Sequence, residues 1–273
     1  MSTLEGKVAL ITGGARGQGR SHAIALARAG ADVIVIDICA NLAIANYPLA
    51  SEADLKDTAD EVQATGRRCV TKIADVRDGA AMVSAVGDAV AELGRLDIVV
   101  ANAGVTSWEP IDCAPRQVFD DIIAVNLTGV WNTFEATVPH ILAHGDGGSI
   151  VVTGSINSTS GKMMDLSTAT RAYTASKHGV IGLMRSYALQ LSPLGIRVNA
   201  VEPMGVNTLM VNNEAAQRVL EGEAPRQYDL LNLMDVWRLE PEDVSAVVEF
   251  LVSDRARYIT GIEFPVDAGF GVR

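Results

Sequence analysis

The sequence predicts an α/β fold: one doubly wound parallel sheet of seven strands with helices on both faces, in a single domain spanning 1–273. Two observations carry this expectation. Short apolar, β-branched runs alternate with longer stretches of helical period, the pattern of a parallel sheet covered on both sides. No repeat, low-complexity tract or linker marks a second domain.

The expected strands are Val8 to Thr12, Val33 to Asp37, Cys69 to Ala74, Asp97 to Ala101, Ser149 to Thr153, Ile196 to Val201 and Glu263 to Val266. Between them the 3.6-residue period predicts helices over Gly19 to Ala29, Ala80 to Leu93, Arg116 to Ala143, Arg171 to Leu191 and Pro241 to Leu251. Ser51-x-x-Asp54 has the form of a capping box and opens a further helix. Two connections exceed the roughly 2–6 residues usual in such folds. One is a loop inserted at about 38–50, at the carboxyl end of the second strand. The other, about 203–240, carries Leu209, Met210, Val211, Leu230, Leu231, Leu233, Met234 and Trp237 and is expected to form a lid over an apolar site.

Composition narrows the partners. A net charge of -11 argues against nucleic acid, whose phosphates need a basic footprint. The first residues lack a basic segment followed by an apolar core, and no run approaches 18 apolar residues, so a cytoplasmic protein with no membrane span is expected. Cys39, Cys69 and Cys113 are odd in number and widely spaced, which predicts buried reduced thiols. His140 and His144 share a helical spacing, but no acidic partner motif accompanies them and no metal site is expected.

After the first strand comes Thr12-Gly13-Gly14-Ala15-Arg16-Gly17-Gln18-Gly19, then a helix. Glycines at 13, 17 and 19 let the backbone approach a pyrophosphate, whose charge meets the unpaired N–H groups at a helix start. In this strand–turn–helix context the motif predicts a Rossmann dinucleotide site. Asp37 ends the second strand 24 residues after Gly13, where a carboxylate can hold ribose hydroxyls and repel a 2′-phosphate. NAD is therefore expected, although Arg16 could pair with that phosphate and supports an NADP-dependent carbonyl reductase as the alternative. Asp75 could reach the adenine or cap the next helix, with Val76 beside it; Asn102-Ala103-Gly104 ends the fourth strand near the switch point.

Tyr173 and Lys177 lie four apart on a predicted helix, a phenol and an ammonium on one face. A nearby cation favours a phenolate and so suits acid/base work. Ser155 follows the fifth strand, and Asn126 is a polar amide within an apolar helical face that demands a partner.

In this order and at these intervals, Thr12-Gly13-x-x-x-Gly17-x-Gly19, Asn102-Ala103-Gly104, Asn126, Ser155 and Tyr173-x-x-x-Lys177 resemble the short-chain dehydrogenase/reductase family over nearly the whole chain. The resemblance implies that Tyr173 is the general acid/base, that Lys177 binds the nicotinamide ribose and lowers the phenol pKa, and that Ser155 holds the substrate oxygen. Asn126 would support the lysine through a water-linked relay. Gly13, Arg16, Gly17, Gln18, Gly19, Asp37, Asp75, Val76, Asn102, Ala103, Gly104, Tyr173 and Lys177 would contact NAD, together with Pro203, Val206 and Thr208. The family's Pro-Gly-x-x-x-Thr segment is here Pro203-Met204-Gly205-Val206-Asn207-Thr208, with Met204 in the first glycine position, which leaves the local backbone open. Asp267-x-Gly269 looks like the family's closing strand and turn.

Ser155 and Tyr173 are separated by more residues than is usual in the family, the extra ones including Lys162-Met163-Met164-Asp165-Leu166. With the 38–50 insertion, this is similar to the carveol-dehydrogenase-like branch associated with mycofactocin, whose members hold NAD without exchange. The implied substrate is a small hydrophobic secondary alcohol or its ketone, such as a cyclic terpenoid, and the implied electron acceptor is of mycofactocin type. Trp108, Ser107, Met163, Met164, Met210 and Trp237 are candidate pocket walls. A homotetramer is implied as well, built on the helices around 116–143 and 171–191. A reading from another class is a non-catalytic dinucleotide-binding protein on the same fold.

Overall fold

The computed structural model describes residues 4–108, 111–160, 167–221 and 233–272. The expected bulge at 162–166, with Met163 and Met164, and the Leu230–Leu231 part of the expected lid lie outside the described residues.

The seven strands are β1 (Val8–Thr12), β2 (Asp32–Asp37), β3 (Cys69–Ile73), β4 (Ile98–Ala101), β5 (Gly148–Thr153), β6 (Ile196–Pro203) and β7 (Glu263–Val266). They form one parallel sheet in the order β3-β2-β1-β4-β5-β6-β7. β1, β2 and β4 are buried at every position, because each is covered on both faces. On one face lie α1 (Gly17–Arg28), α2 (Glu52–Gln63) and α8 (Pro241–Val252). Against the other pack α3 (Gly79–Leu93), α4 (Pro115–Ile123), α5 (Gly129–His144) and α6 (Thr168–Leu191). A short α7 (Glu214–Glu221) sits within the long connection after β6. The strand order reverses between β1 and β4, so a crevice opens at their carboxyl ends.

The helix starts are locally determined. Ser51 accepts from the Asp54 amide at 3.2 Å while Asp54 accepts from the Ser51 amide at 2.8 Å, the reciprocal box that the sequence predicts. Asp78 caps α3 through the Ala81 amide, whereas the sequence offered Asp75 for that role. Asp75 is instead drawn to Arg77, 2.6 Å from its guanidinium. α1 differs from these: its first turn has no side-chain cap, which leaves its N–H groups facing the crevice.

The predicted helix 116–143 is not continuous. Between α4 and α5 the chain widens into a π-helical turn at Ala124–Thr128 that carries Asn126. A π turn places one extra residue in the helix, and here the extra residue lets a fully buried amide turn inward to a backbone partner. The three cysteines are free thiols but half-buried rather than buried. His144 bonds the Leu96 carbonyl at 2.7 Å, and among the described residues no cluster of His, Cys, Asp or Glu could hold a metal. No helix among them is long and apolar enough to cross a membrane.

Candidate active site

The crevice at the switch point contains two adjoining cavities of about 480 and 180 Å³. The larger is a nucleotide cradle lined by Gly13, Arg16, Gly17, Gln18 and Gly19 of the loop, by Asp37, by Asp75 and Val76, and by Asn102, Ala103 and Gly104. The smaller holds Ser155, Tyr173 and Lys177, with Pro203, Val206 and Thr208 on its rim. Gln18, Asn102, Gly104, Thr208 and Met210 border both. Every expected site residue except Asn126 lines one cavity or the other.

The glycines of the loop are required by contact. A Cβ on Gly19 would sit 2.1 Å from the Gly13 carbonyl oxygen, and one on Gly13, which has φ +64, would sit 2.8 Å from Ala103 Cα. The loop is clamped around Ala15. Its amide donates to Asp37 at 3.1 Å, and its carbonyl accepts from Arg20 at 2.8 Å and from Thr58 at 2.9 Å. Arg20 and Thr58 were not anticipated from the sequence, since no motif marks them.

Asn102 ties three strands together. Its side-chain amide donates to the Thr12 carbonyl at 3.1 Å and accepts from Thr153 at 3.3 Å. These features suit a dinucleotide: an uncapped helix start, glycines where a Cβ would fill the loop, and a Gln18 side-chain oxygen that is buried with no partner. Asp37 also accepts from the Cys39 amide at 3.2 Å, so the carboxylate is held rigidly at the ribose end. Arg16 does not wait there for a phosphate. Its guanidinium donates to the Pro48 carbonyl of the inserted loop.

At the reacting end, Tyr173 and Ser155 face the same cavity. Burial pushes the Tyr173 phenol above its ordinary value, and the Ser155 hydroxyl acts against that rise. Lys177 donates to the Thr153 carbonyl at 2.6 Å and lies 5.6 Å from the centre of the phenol ring. Burial pulls its own pKa down to about 8, which keeps it mostly charged at neutral pH.

Asn126 stands behind this group. Its oxygen accepts from the Val105 amide at 2.8 Å, and its nitrogen donates to the Val105 carbonyl at 2.9 Å and to Ser176 at 3.3 Å. One N–H thus braces the segment after β4 and the other ties it to α6. Met204 is accommodated without left-handed backbone, and its amide bonds the Val266 carbonyl at 3.0 Å. Asp267 closes the C-terminal turn by accepting from the amides of Gly269 and Gly271 at 2.9 and 2.7 Å.

The inserted loop reaches further than its position suggests. Asn46 donates to the Trp108 carbonyl and accepts from its amide at 3.2 Å, and Ser107 donates to the Ile44 carbonyl. Tyr47 is buried, accepts from the Thr106 amide at 3.3 Å and borders the nucleotide cradle. Trp108 then donates to the Met210 carbonyl at 2.7 Å. The insert, the segment after β4 and the connection after β6 are therefore joined over the crevice, with Tyr47, Trp108, Ala215 and Ala216 packed together. Trp108, Met210 and Trp237 line the smaller cavity as expected; Ser107 is buried beside it. Asn46 and Tyr47 were missed, because nothing local distinguishes a strap from an ordinary loop.

A fold with this strand order, a glycine cradle at its switch point and a Ser–Tyr–Lys group beside it defines a dinucleotide-dependent oxidoreductase. A family model described as Enoyl-(Acyl carrier protein) reductase matches residues 13–271. The (-)-trans-carveol dehydrogenase of Rhodococcus erythropolis is 46% identical, over 98% of this chain and 99% of that protein. A solved structure of carveol dehydrogenase from Mycobacterium avium in complex with NAD is 45% identical, covers 100% of both chains and superposes with a TM-score of 0.93. A short chain dehydrogenase from Mycobacterium paratuberculosis bound to NAD is 41% identical over 99% of this chain and 100% of that one, with a TM-score of 0.90. The chain belongs to the short-chain dehydrogenase/reductase family.

Proposed function

We propose that the protein is an NAD-dependent dehydrogenase that interconverts a small hydrophobic secondary alcohol and its ketone, with NAD held firmly. The observation that carries the reading is the convergence of Ser155, Tyr173 and Lys177 on one wall of a largely apolar cavity that adjoins the nucleotide cradle. NAD, when bound, supplies the hydride acceptor. Ser155 Oγ and Tyr173 Oη both reach one substrate oxygen; Tyr173 takes its proton as the alcohol is oxidised and returns it to the ketone in the reverse direction. Lys177, fixed by Thr153, provides a buried positive charge beside the phenol. The apolar lining excludes water, and the carveol dehydrogenases at 45–46% identity support a cyclic terpenoid-sized substrate.

Asp37, immobilised by two backbone amides, favours NAD over NADP, since a 2′-phosphate would stand against a carboxylate. The strap supports slow exchange: dissociation of the nucleotide requires the contacts of Asn46, Ser107 and Trp108 to open. An external acceptor of mycofactocin type would then regenerate NAD in place. Exposed Phe119, Trp131 and Leu142 on α4 and α5, with Leu189 on α6, support assembly as a homotetramer through those helices.

The deciding experiment is to denature protein purified without added cofactor and count the nucleotide released. About one NAD per chain, together with oxidation of carveol or cyclohexanol using an artificial electron acceptor, is the expected result. Release of NADP, or nucleotide binding with no alcohol turned over, would sink the reading. A monomer by sedimentation at micromolar concentration would refute the tetramer.

A further inference from the structure

The apolar cavity carries one feature that a neutral alcohol does not explain. Arg238 lines it together with Ser155, Tyr173, Trp237 and Phe270. Its backbone is fixed there: the next residue, Leu239, donates to the Gly205 carbonyl at 3.0 Å, accepts from the Asn207 amide at 2.8 Å and bridges Val206. The guanidinium is half-buried, and among the described residues it has neither a carboxylate partner nor a hydrogen bond. Burial lowers its pKa.

The other partly buried arginines among the described residues are all engaged. Arg77 lies 2.6 Å from Asp75, Arg95 bonds Asp97 at 2.5 Å, Arg20 bonds Ala15 and Thr58, Arg197 bonds the Leu251 carbonyl at 2.5 Å, and Arg16 bonds Pro48. The acid nearest Arg238 in sequence, Glu240, is turned to the Asn207 amide at 3.0 Å. A partly desolvated guanidinium presents five N–H donors to the cavity, and among the described residues none meets a protein acceptor. In a chain of net charge -11 a positive group in a substrate cavity with no carboxylate partner among the described residues is suited to an incoming anion, and guanidinium matches a carboxylate in two-point geometry.

We propose that Arg238 is a specificity-determining residue that receives a carboxylate on the substrate, so that the preferred substrates are hydrophobic hydroxy acids and oxo acids whose carboxylate lies away from the reacting carbon. This rests on the reading that the cavity binds a secondary alcohol at Ser155 and Tyr173. The apolar walls take the carbon skeleton, the Ser155–Tyr173 pair takes the hydroxyl, and Arg238 fixes which way round the molecule lies. Orientation by a bidentate ion pair holds the reacting hydrogen in one attitude toward the cofactor.

The test has a binding arm and a turnover arm, both on the NAD-loaded protein. Cyclohexanecarboxylate and its neutral amide, cyclohexanecarboxamide, are titrated while following the fluorescence of Trp108 and Trp237, at two salt concentrations. The carboxylate should bind roughly tenfold or more tightly, as expected for a charge-assisted pair. Arg238→Met should bring the ratio to about one and Arg238→Lys should restore part of it. Turnover of 4-hydroxycyclohexanecarboxylate and 4-hydroxycyclohexanecarboxamide with an artificial acceptor should show the same ratio in KM. Equal binding of acid and amide by the wild-type protein, or a preference that survives in Arg238→Met, overturns the assignment of Arg238. If the acid preference is present and no alcohol is oxidised, the anion site stands and the dehydrogenase reading fails.

Discussion

The nucleotide cradle and the substrate wall are neighbours in one crevice and are built in opposite ways. The cradle is made by backbone at the ends of β1, β2 and β4, with glycines at 13 and 19 where any side chain would collide. The wall draws side chains from separate stretches, among them 106–108, 203–211 and 237–238, held to one another and to the insert at 44–50 by packing and by hydrogen bonds such as Trp108 to Met210 and Asn46 to Trp108. Backbone cradles are specified by short spacings, because phosphate geometry leaves little choice of residue. Walls made by long loops are specified by who meets whom, and that freedom is where related enzymes can differ in substrate and in the rate of cofactor release.

The largest effect should come where the two regions meet. Tyr173→Phe removes the acid/base and should lower kcat by at least roughly 10²–10⁴-fold. NAD content on purification should be unaffected, because the cradle does not depend on the phenol hydroxyl. Loss of NAD together with activity would erase the distinction between the two regions.

Gly19→Ala tests the cradle alone. With its Cβ 2.1 Å from the Gly13 carbonyl, the loop must move, and NAD affinity should fall about 100-fold or more as read by calorimetry. An alanine variant that purifies with full NAD would show that the loop is softer than its contacts imply.

Asn46→Ala tests the strap without touching either cavity. It removes two hydrogen bonds to Trp108, each worth about 1 kcal/mol, so NAD release should accelerate by roughly tenfold or more while the hydride-transfer step in a single turnover holds its rate. Unaltered release, followed by displacement with labelled NAD, would leave the cofactor held by the cradle only.

The smallest effect concerns Glu202 at the end of β6. Burial pushes its carboxyl up to about 7, with Glu263 adding to the rise and Ser158, Thr159 and Arg185 opposing it. A folded pKa above the unfolded one contributes stability that is present below the unfolded value near 4.5 and is lost as pH rises through about 7. Glu202→Gln should therefore flatten the fall in Tm over that range and raise Tm at pH 8 by a few degrees. A melting curve with the same pH slope as wild type would show that Glu202 does not titrate there.

The sequence made the sheet legible because parallel strands buried on both faces are continuous apolar runs; β1 and β7 have the expected bounds and β5 differs from expectation by one residue. It hid the π turn at 124–128, since the apolar period runs through it and only the contact of Asn126 with Val105 requires the wider turn. It also gave no sign of what fixes Lys177 in place. Four residues on a helix bring Lys177 near the ring, but the Thr153 carbonyl captures the ammonium, and that contact crosses from α6 to β5.

By itself, then, the sequence determined the strand order's raw material, the glycine cradle, Asp37 and the Ser155–Tyr173–Lys177 group, all of which follow from local spacing and from backbone that admits few residue types. Only the tertiary structure decided that Arg16 belongs to the inserted loop, that Tyr47 and Trp108 close the crevice, and that Arg238 stands in the substrate cavity with no described partner. Those outcomes depend on contacts between segments tens to hundreds of residues apart, and a side chain's partner at that range is set by packing rather than by its neighbours in the chain.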